Sequence, residues 1–485
     1  MAPSAVRTPE WRRAVRDATV AFATLGCKLN QYDTTEMQSL LEAKGLRQVP
    51  FEEPATIYVI NTCTVTARAD RSGRQVIRRA LARNPDALVV VTGCYAQTNP
   101  EAVAAIPGVD VVLGTRDRSA LPGVLDDLAK RARPLVRVGD VFAPRGRPEP
   151  VIPVRAFAPG YTRAFVKIQD GCQHRCSFCI VPFARGGSRS QPESVVVAQV
   201  EALAAAGYGE VVLTGVDMGH YGWDLVPRTS LAALIARILR IPGLGRLRLS
   251  SILPAYFTDA LIDLIAAERR ICRHLHVPLQ SGSDQILRAM RRPYNARLYR
   301  RLIERLSDAM PGLGLGTDVI TGFPGETAQD FAATEALVAD LPFSYLHVFS
   351  YSDRRGTEAA RLAVSRVPAA EIRRRTAALR HRSAAKADAF RRAHLGRIVE
   401  ALVLERQSSG TDRLVGLTDD YLEVTFDGPD RLRRSFVRLE VTGVDDEGLG
   451  GRLAGASDLA RLTTPKGLAP LGPGDEPQGV LVLHD

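Results

Sequence analysis

Residues 171–180 read GCQHRCSFCI and place Cys172, Cys176 and Cys179 inside eight positions, with CxxxCxxC spacing. Metal–thiolate sites ordinarily take four ligands. Three clustered cysteines therefore raise the question of what fills the fourth place. The remaining cysteines are scattered, and an odd total of seven in 485 residues is not a disulfide framework. It points to a reducing, cytoplasmic setting and to cysteines used for metal.

Upstream, residues 18–130 alternate strand and helix patterns. The runs ATVAFATLG, ATIYVINTC, ALVVVTGC and VDVVLGT read as strands, and YDTTEMQSLLEAKG and ADRSGRQVIRRALARN as amphipathic helices. Near-continuous apolar strands separated by helices predict a Rossmann-like parallel sheet covered on both faces. Cys27, Cys63 and Cys94 each stand at the carboxyl end of one such strand, 36 and 31 residues apart. Those ends share one edge of a parallel sheet, where ligands bind. One cysteine there would be a small packed hydrophobe; three at equivalent ends favour a metal or cluster.

Downstream, residues 131–160 are rich in Pro and Arg and read as a linker. Residues 161–393 hold six more strand patterns, TRAFVKIQ, EVVLTGV, LRLSSI, CRHLHVPL, LGLGTDVI and SYLHVFSY, with helices between. They predict a partial (βα)6 barrel whose functional loops follow the strands. The CxxxCxxC cluster follows the first. Residues 394–463 read as a small all-β barrel and 464–485 as a flexible tail. No run of 18 apolar residues is present, and the Arg-rich start lacks the apolar centre of a secretory signal.

The net charge of +11 is uneven: residues 354–393 hold twelve Lys/Arg against three Asp/Glu. A polyanion partner and a solvated helix face both fit that excess. Residues 394–461 carry the opposite sign, thirteen acids against nine bases.

KIQDGCQHRCSFCIVPFARG resembles the cluster loop of the radical S-adenosylmethionine (SAM) enzymes. With the three upstream cysteines and the C-terminal β-domain, which is similar to a TRAM domain, the chain resembles the methylthiotransferases over about 18–462. TLGCKLNQYDT, NTCTVTARADRSGRQVIRRA and TGCYAQ are most similar to the branch that acts on N(6)-threonylcarbamoyladenosine in tRNA, at position 37 beside the anticodon. The resemblance implies a transferase of sulfur-containing groups with two 4Fe-4S clusters. Cys172, Cys176 and Cys179 would hold one, leaving an iron for the amino and carboxyl groups of SAM. Cys27, Cys63 and Cys94 would hold the other, whose open place carries sulfur. One SAM would methylate that sulfur, and another would yield the radical that activates carbon 2 of the adenine.

The same resemblance implies SAM contacts at Phe178, Gly215, Gln280, Ser281, Gly322 and Gly325. Leu253, Gly187 and Asp217 stand where the family usually has Glu, Arg and Asn. An Arg-rich helix (Arg373, Arg374, Arg375, Arg380, Arg382, Lys386) and a β-domain stripe (Arg431, Arg433, Arg434, with Arg438) are expected to meet tRNA. An electron donor such as flavodoxin or ferredoxin and a sulfur source are implied as partners. His174, inside the cluster loop, is expected to face solvent, and Cys272 to be a packed strand cysteine. Two other substrates fit the class, isopentenyladenosine in tRNA and an aspartate of a ribosomal protein. A non-enzymatic alternative is a zinc-stabilised RNA-binding protein.

Overall fold

The structure, a computed structural model, describes residues 18–125, 130–143, 161–408, 411–445, 448–455 and 481–483. In the N-terminal domain β1 (Thr19–Leu25), β2 (Arg47–Gln48), β3 (Ile57–Thr62), β4 (Leu88–Gly93), β5 (Val111–Leu113) and β6 (Leu135–Arg137) form a parallel sheet in the order β2-β1-β3-β4-β5-β6. Successive strand residues point to opposite faces, and both faces are dry. Ala21, Tyr58 and Val89 enter one core, while Phe22, Val59 and Val90 enter the other. Helix α1 (Lys28–Ala43) covers the second face with Met37 and Leu41, and α2 (Ala67–Arg83) covers the first with Val76, Ile77 and Ala80. A third, short helix, α3 (Cys94–Thr98), starts directly from β4.

The central domain carries β7 (Arg163–Lys167), a small antiparallel pair β8 (Gln169–Asp170) and β9 (Arg189–Ser190), then β10 (Glu210–Thr214), β11 (Arg246–Leu249), β12 (His274–His276), β13 (Gly314–Thr321) and β14 (Tyr345–Ser350). The parallel order is β7-β10-β11, one bridge from Leu247 to Ile271, then β12-β13-β14. These six strands are the expected open barrel. Helix α4 (Val181–Arg185) follows the cysteine loop, and α5 (Ala369–Arg392) runs along β14.

β15 (Ile398–Gln407), β16 (Leu414–Thr418), β17 (Glu423–Phe426), β18 (Phe436–Asp445) and β19 (Gly448–Leu453) close into the expected small barrel. Its β16–β17 turn plugs the amino-terminal end of the large barrel. Arg248, fully buried on β11, donates to the carbonyls of Thr418 and Asp419, each within 2.9 Å. Tyr421, held at φ +78°, stacks its ring on His274 at 4.5 Å.

Two boundaries differ from the sequence reading. The segment read as a linker contributes β6, so the sheet extends to Arg137, while 144–160 lie outside the described residues. Most of the tail also lies outside them. Its described part is β20 (Leu481–Leu483), a strand parallel to the end of β1 rather than a free end.

Candidate active site between two cysteine triads

The first triad sits on the loop after β8. The Cys172 amide donates to the Gly186 carbonyl (3.0 Å), and Ser177 is pinned by the carbonyls of Ala289 (2.7 Å, from its hydroxyl) and Met290 (3.1 Å, from its amide). Two donors face the sulfurs: the His174 amide at 3.3 Å from Cys172 Sγ and Arg292 Nη1 at 3.2 Å from Cys176 Sγ. Arg292 is itself aimed by Tyr294, whose hydroxyl accepts from Nε at 2.9 Å. His174 is not the solvent-facing residue that the sequence suggested. Its ring is half-buried, 2.9 Å from the Tyr256 hydroxyl and 3.3 Å from Asp217, because the β10 loop folds back over it.

The second triad is assembled from three strand ends. Gly26 lies at φ +99°, and a Cβ there would stand 2.9 Å from Cys63 Sγ, so only glycine lets the Cys27 and Cys63 turns meet. Gly93 lies at φ +91° with the Thr62 carbonyl 2.4 Å from where its Cβ would be, which allows the chain to turn from β4 straight into Cys94 at the start of α3. Cys27 and Cys94 interact electrostatically, and both feel the Arg185 guanidinium, which hydrogen-bonds the Cys94 thiol.

None of the six cysteines is in a disulfide among the described residues. Burial pushes Cys172 and Cys179 up to about 12, so these thiols stay protonated at neutral pH until a metal displaces the proton. Sulfurs around one tetrahedral zinc lie about 3.8 Å apart. Neither triad brings its three sulfurs within 4.8 Å of one another; among the described residues only His276, Asp318 and His347 converge that closely. The triads' spacing is wider than that around one tetrahedral zinc ion, and each triad offers three protein ligands.

The two domains meet through buried charge. Asp33 on α1 takes Arg118 at 3.1 Å, Lys167 at 2.7 Å and Arg185 at 2.9 Å, and Glu36 takes Lys167 at 3.2 Å. Arg185 also binds Asp170 at 2.9 Å and Asn30 Oδ1 at 2.6 Å. Burial would raise the Asp33 carboxyl, but the charges of Arg118, Lys167 and Arg185 prevail and hold it well below the ordinary range. On the other side of the triad, Arg354, from the loop after β14, reaches Thr64 Oγ1 (2.7 Å) and Asp70 (2.6 Å), next to Cys63. Sequence reasoning missed Arg185, Arg292 and Arg354. The only trace of Arg185 is a single charge closing the apolar run CIVPFAR.

A cavity of about 200 Å³ opens beside Cys179, with walls from both domains. Val65 and Thr66, just past Cys63, form one wall; Phe178 and Cys179 form another; Gln280, Asp318, Phe349 and Tyr351 complete it. Of the expected SAM contacts, Phe178 and Gln280 line this space, Gln280 with φ +70°. Ser281 is fully buried against Thr334. The Gly322 and Gly325 amides are bound internally to Glu326 and Ser365, and Gly215 packs beside Gln169 and Met218.

The expected RNA contacts divide as well. Arg373, Arg380, Arg382 and Arg431 are exposed, and Arg374 is exposed but paired with Glu371. Arg375 is buried against Glu326 and Glu371, and Lys386 caps carbonyls of Ala339 and Leu341. Arg433 is tied to Asp430 and Arg434 to Glu405. Arg375 and Lys386 therefore face the protein, contrary to expectation. Cys272 is buried in the core, as expected.

Residues 19–114 match the family described as uncharacterized protein family UPF0004, and residues 166–338 match the radical SAM superfamily. The fold is similar to the radical SAM methyltransferase TsrM from Kitasatospora setae, with a TM-score of 0.51 at 19% identity over 71% of this chain and 77% of that one. The chain is 40% identical to the threonylcarbamoyladenosine tRNA methylthiotransferase MtaB of Bacillus subtilis, across 87% of this chain and 94% of that protein. For the MtaB of Aquifex aeolicus the figures are 39%, 84% and 97%. For the tRNA-2-methylthio-N(6)-dimethylallyladenosine synthase of Carboxydothermus hydrogenoformans they are 34%, 86% and 95%. The fold and its two triads define a radical SAM methylthiotransferase. Within that class, the chain belongs to the MtaB family.

Proposed function

We propose that this enzyme converts N(6)-threonylcarbamoyladenosine at position 37 of tRNA, next to the anticodon, into its 2-methylthio derivative. The observation that carries the reading is a cavity walled by Cys179 and Phe178 of one domain and by Val65 and Thr66, the residues that follow Cys63, of the other. Two 4Fe-4S clusters and SAM, bound there, supply the methyl transfer and the radical chemistry. The chain supplies placement. Cys172, Cys176 and Cys179 hold one cluster, with Arg292 and the His174 amide donating to its sulfurs; Cys27, Cys63 and Cys94 hold the other, with Arg185 at its edge. Phe178 and Gln280 flank the SAM position, and Val65 and Thr66 form the facing wall. Exposed Arg373, Arg380, Arg382 and Arg431 meet the tRNA backbone, so binding weakens with salt. A flavodoxin- or ferredoxin-type donor supplies electrons and a separate source supplies sulfur.

The test is mass spectrometry of tRNA nucleosides from cells with and without the protein. Loss of 2-methylthio-threonylcarbamoyladenosine, restored by the intact protein and not by Cys176→Ala, is the expected result. Loss of the isopentenyl analogue instead would move the enzyme to the other tRNA branch. No change in either would turn attention to a ribosomal-protein substrate.

A further inference from the structure

Lys28 directly follows the cluster ligand Cys27, and its side chain reaches the floor of the large barrel. Its ammonium lies 5.7 Å from the centre of the Tyr421 ring, with Arg163, Arg248 and Glu210 as electrostatic neighbours. Glu210 is already engaged by Arg246 (2.6 Å), Arg248 (2.8 Å) and Arg163 (3.5 Å). Asp419 lies on the side of Arg246 and Arg248. Lys28 itself has no ion pair or hydrogen bond among the described residues. Lys28 is partly exposed and faces an aromatic ring rather than a carboxylate, so its ammonium is placed to take an anionic group from outside the chain.

A chain of touching side chains links the cavity wall to that cation. Residues two apart on a strand share a face, so His274 and His276 on β12, and Tyr345 and His347 on β14, line the same lumen. His274 stacks between Tyr421 (4.5 Å) and Tyr345 (5.9 Å), and Tyr345 leads to His347 (5.1 Å). His276, Asp318 and His347 converge within 4.8 Å, and Asp318 lines the cavity beside Cys179. Buried His276 is oriented by Ser251 Oγ at 2.8 Å from Nδ1, and its Nε2 faces Asp318 at 3.2 Å. The lumen thus offers donors and an acceptor at its mouth, aromatic faces along its wall and an unpaired cation at its floor.

Resting on the function proposed above, we infer that Lys28 pairs with the carboxylate of the threonylcarbamoyl side chain, while Asp318, His276 and His347 hold the adenine edge at the mouth. A dimethylallyl group carries no charge and leaves Lys28 unpaired, so this one residue selects between the two tRNA substrates. The inference concerns selection, and its readout is a ratio rather than activity alone.

The experiment uses the reconstituted enzyme and anticodon stem-loop RNAs bearing threonylcarbamoyladenosine, its carboxamide analogue or isopentenyladenosine. The preference is the kcat/KM for the carboxylate divided by that for the carboxamide. In Lys28→Met this preference should fall on the order of thirtyfold, and Lys28→Arg should retain part of it, with the electron paramagnetic resonance signals of both clusters unchanged. An unchanged preference in Lys28→Met overturns the inference. So does loss of the auxiliary cluster's signal, which would make Lys28 a support of that cluster, or one equivalent of a divalent metal bound at His276, Asp318 and His347, which would fill the adenine position. A wild-type enzyme that modifies the isopentenyl RNA and not the threonylcarbamoyl RNA overturns the proposed function itself, and is seen without any variant.

Discussion

The two triads solve one problem in different ways. Cys172, Cys176 and Cys179 lie on a single loop, and the groups that brace it, Gly186, Ala289, Met290 and Arg292, all belong to the same domain. Cys27, Cys63 and Cys94 come from three strand ends, and their turns are clamped by Arg185 and Arg354 from the neighbouring domain. The first site is a property of the barrel. The second is a property of the docked pair. Arg185 links them in sequence as well: it closes the helix that begins two residues after Cys179, so the segment that shapes the first site also reaches the second.

The sharpest test of that contrast is loss of one ligand from each side. Cys176→Ala should abolish SAM cleavage, with no 5′-deoxyadenosine released. Cys63→Ala should lose methylthiolation while SAM cleavage continues. In both, iron in anaerobically purified protein should fall from about eight to about four atoms per chain. Equal loss of SAM cleavage in both variants would show that the sites are not independent.

Arg185→Met comes next. It removes one guanidinium from a buried network and takes from Asp170 its ion-pair partner at 2.9 Å, which costs about 3 kcal/mol. The asymmetry is the useful part. Auxiliary-cluster iron should drop while the radical SAM cluster is retained, read by electron paramagnetic resonance in a Cys176→Ala background and in its absence. Arg354→Met touches one carboxylate and one hydroxyl, and should cost about 1–3 kcal/mol in denaturant unfolding, with a smaller loss of auxiliary iron. A larger effect for Arg354 than for Arg185 would reverse the assignment of which arm carries the docking.

The contrast also explains what the sequence made legible. Strand and helix periodicities announced the sheet, the open barrel and the small barrel, because apolar patterning is local. The CxxxCxxC loop was visible for the same reason. The second triad was readable only through topology, since equal βα spacing brings Cys27, Cys63 and Cys94 to one sheet edge. Arg185, Arg354 and Lys28 carry no local signature; their partners lie 155, 290 and almost 400 positions away. Pairing across such separations is decided by docking, and an arginine bound for a buried carboxylate looks in sequence like any surface arginine. Arg375 and Lys386 illustrate the converse, cations read as an RNA face that the fold uses for itself.

One interdomain contact touches neither triad and serves as the control. His394, at the end of α5, places Nε2 2.6 Å from Asp420 and Nδ1 2.9 Å from the Phe390 carbonyl. Both ring nitrogens face acceptors, so the doubly protonated imidazolium is the form this pocket satisfies. The hydrogen bond to Asp420 raises the His394 pKa above 6.5, against the opposing effect of burial. A raised folded-state pKa gives stability that is fully present below the unfolded value and is lost as pH rises through the folded one. Wild type should therefore lose a small increment of stability, about 2 °C in Tm, as pH climbs above 6.5, and His394→Gln should lose that pH dependence. Iron content should be the same in both proteins. A change in auxiliary iron in His394→Gln would mean that the small barrel, too, helps to assemble the second site.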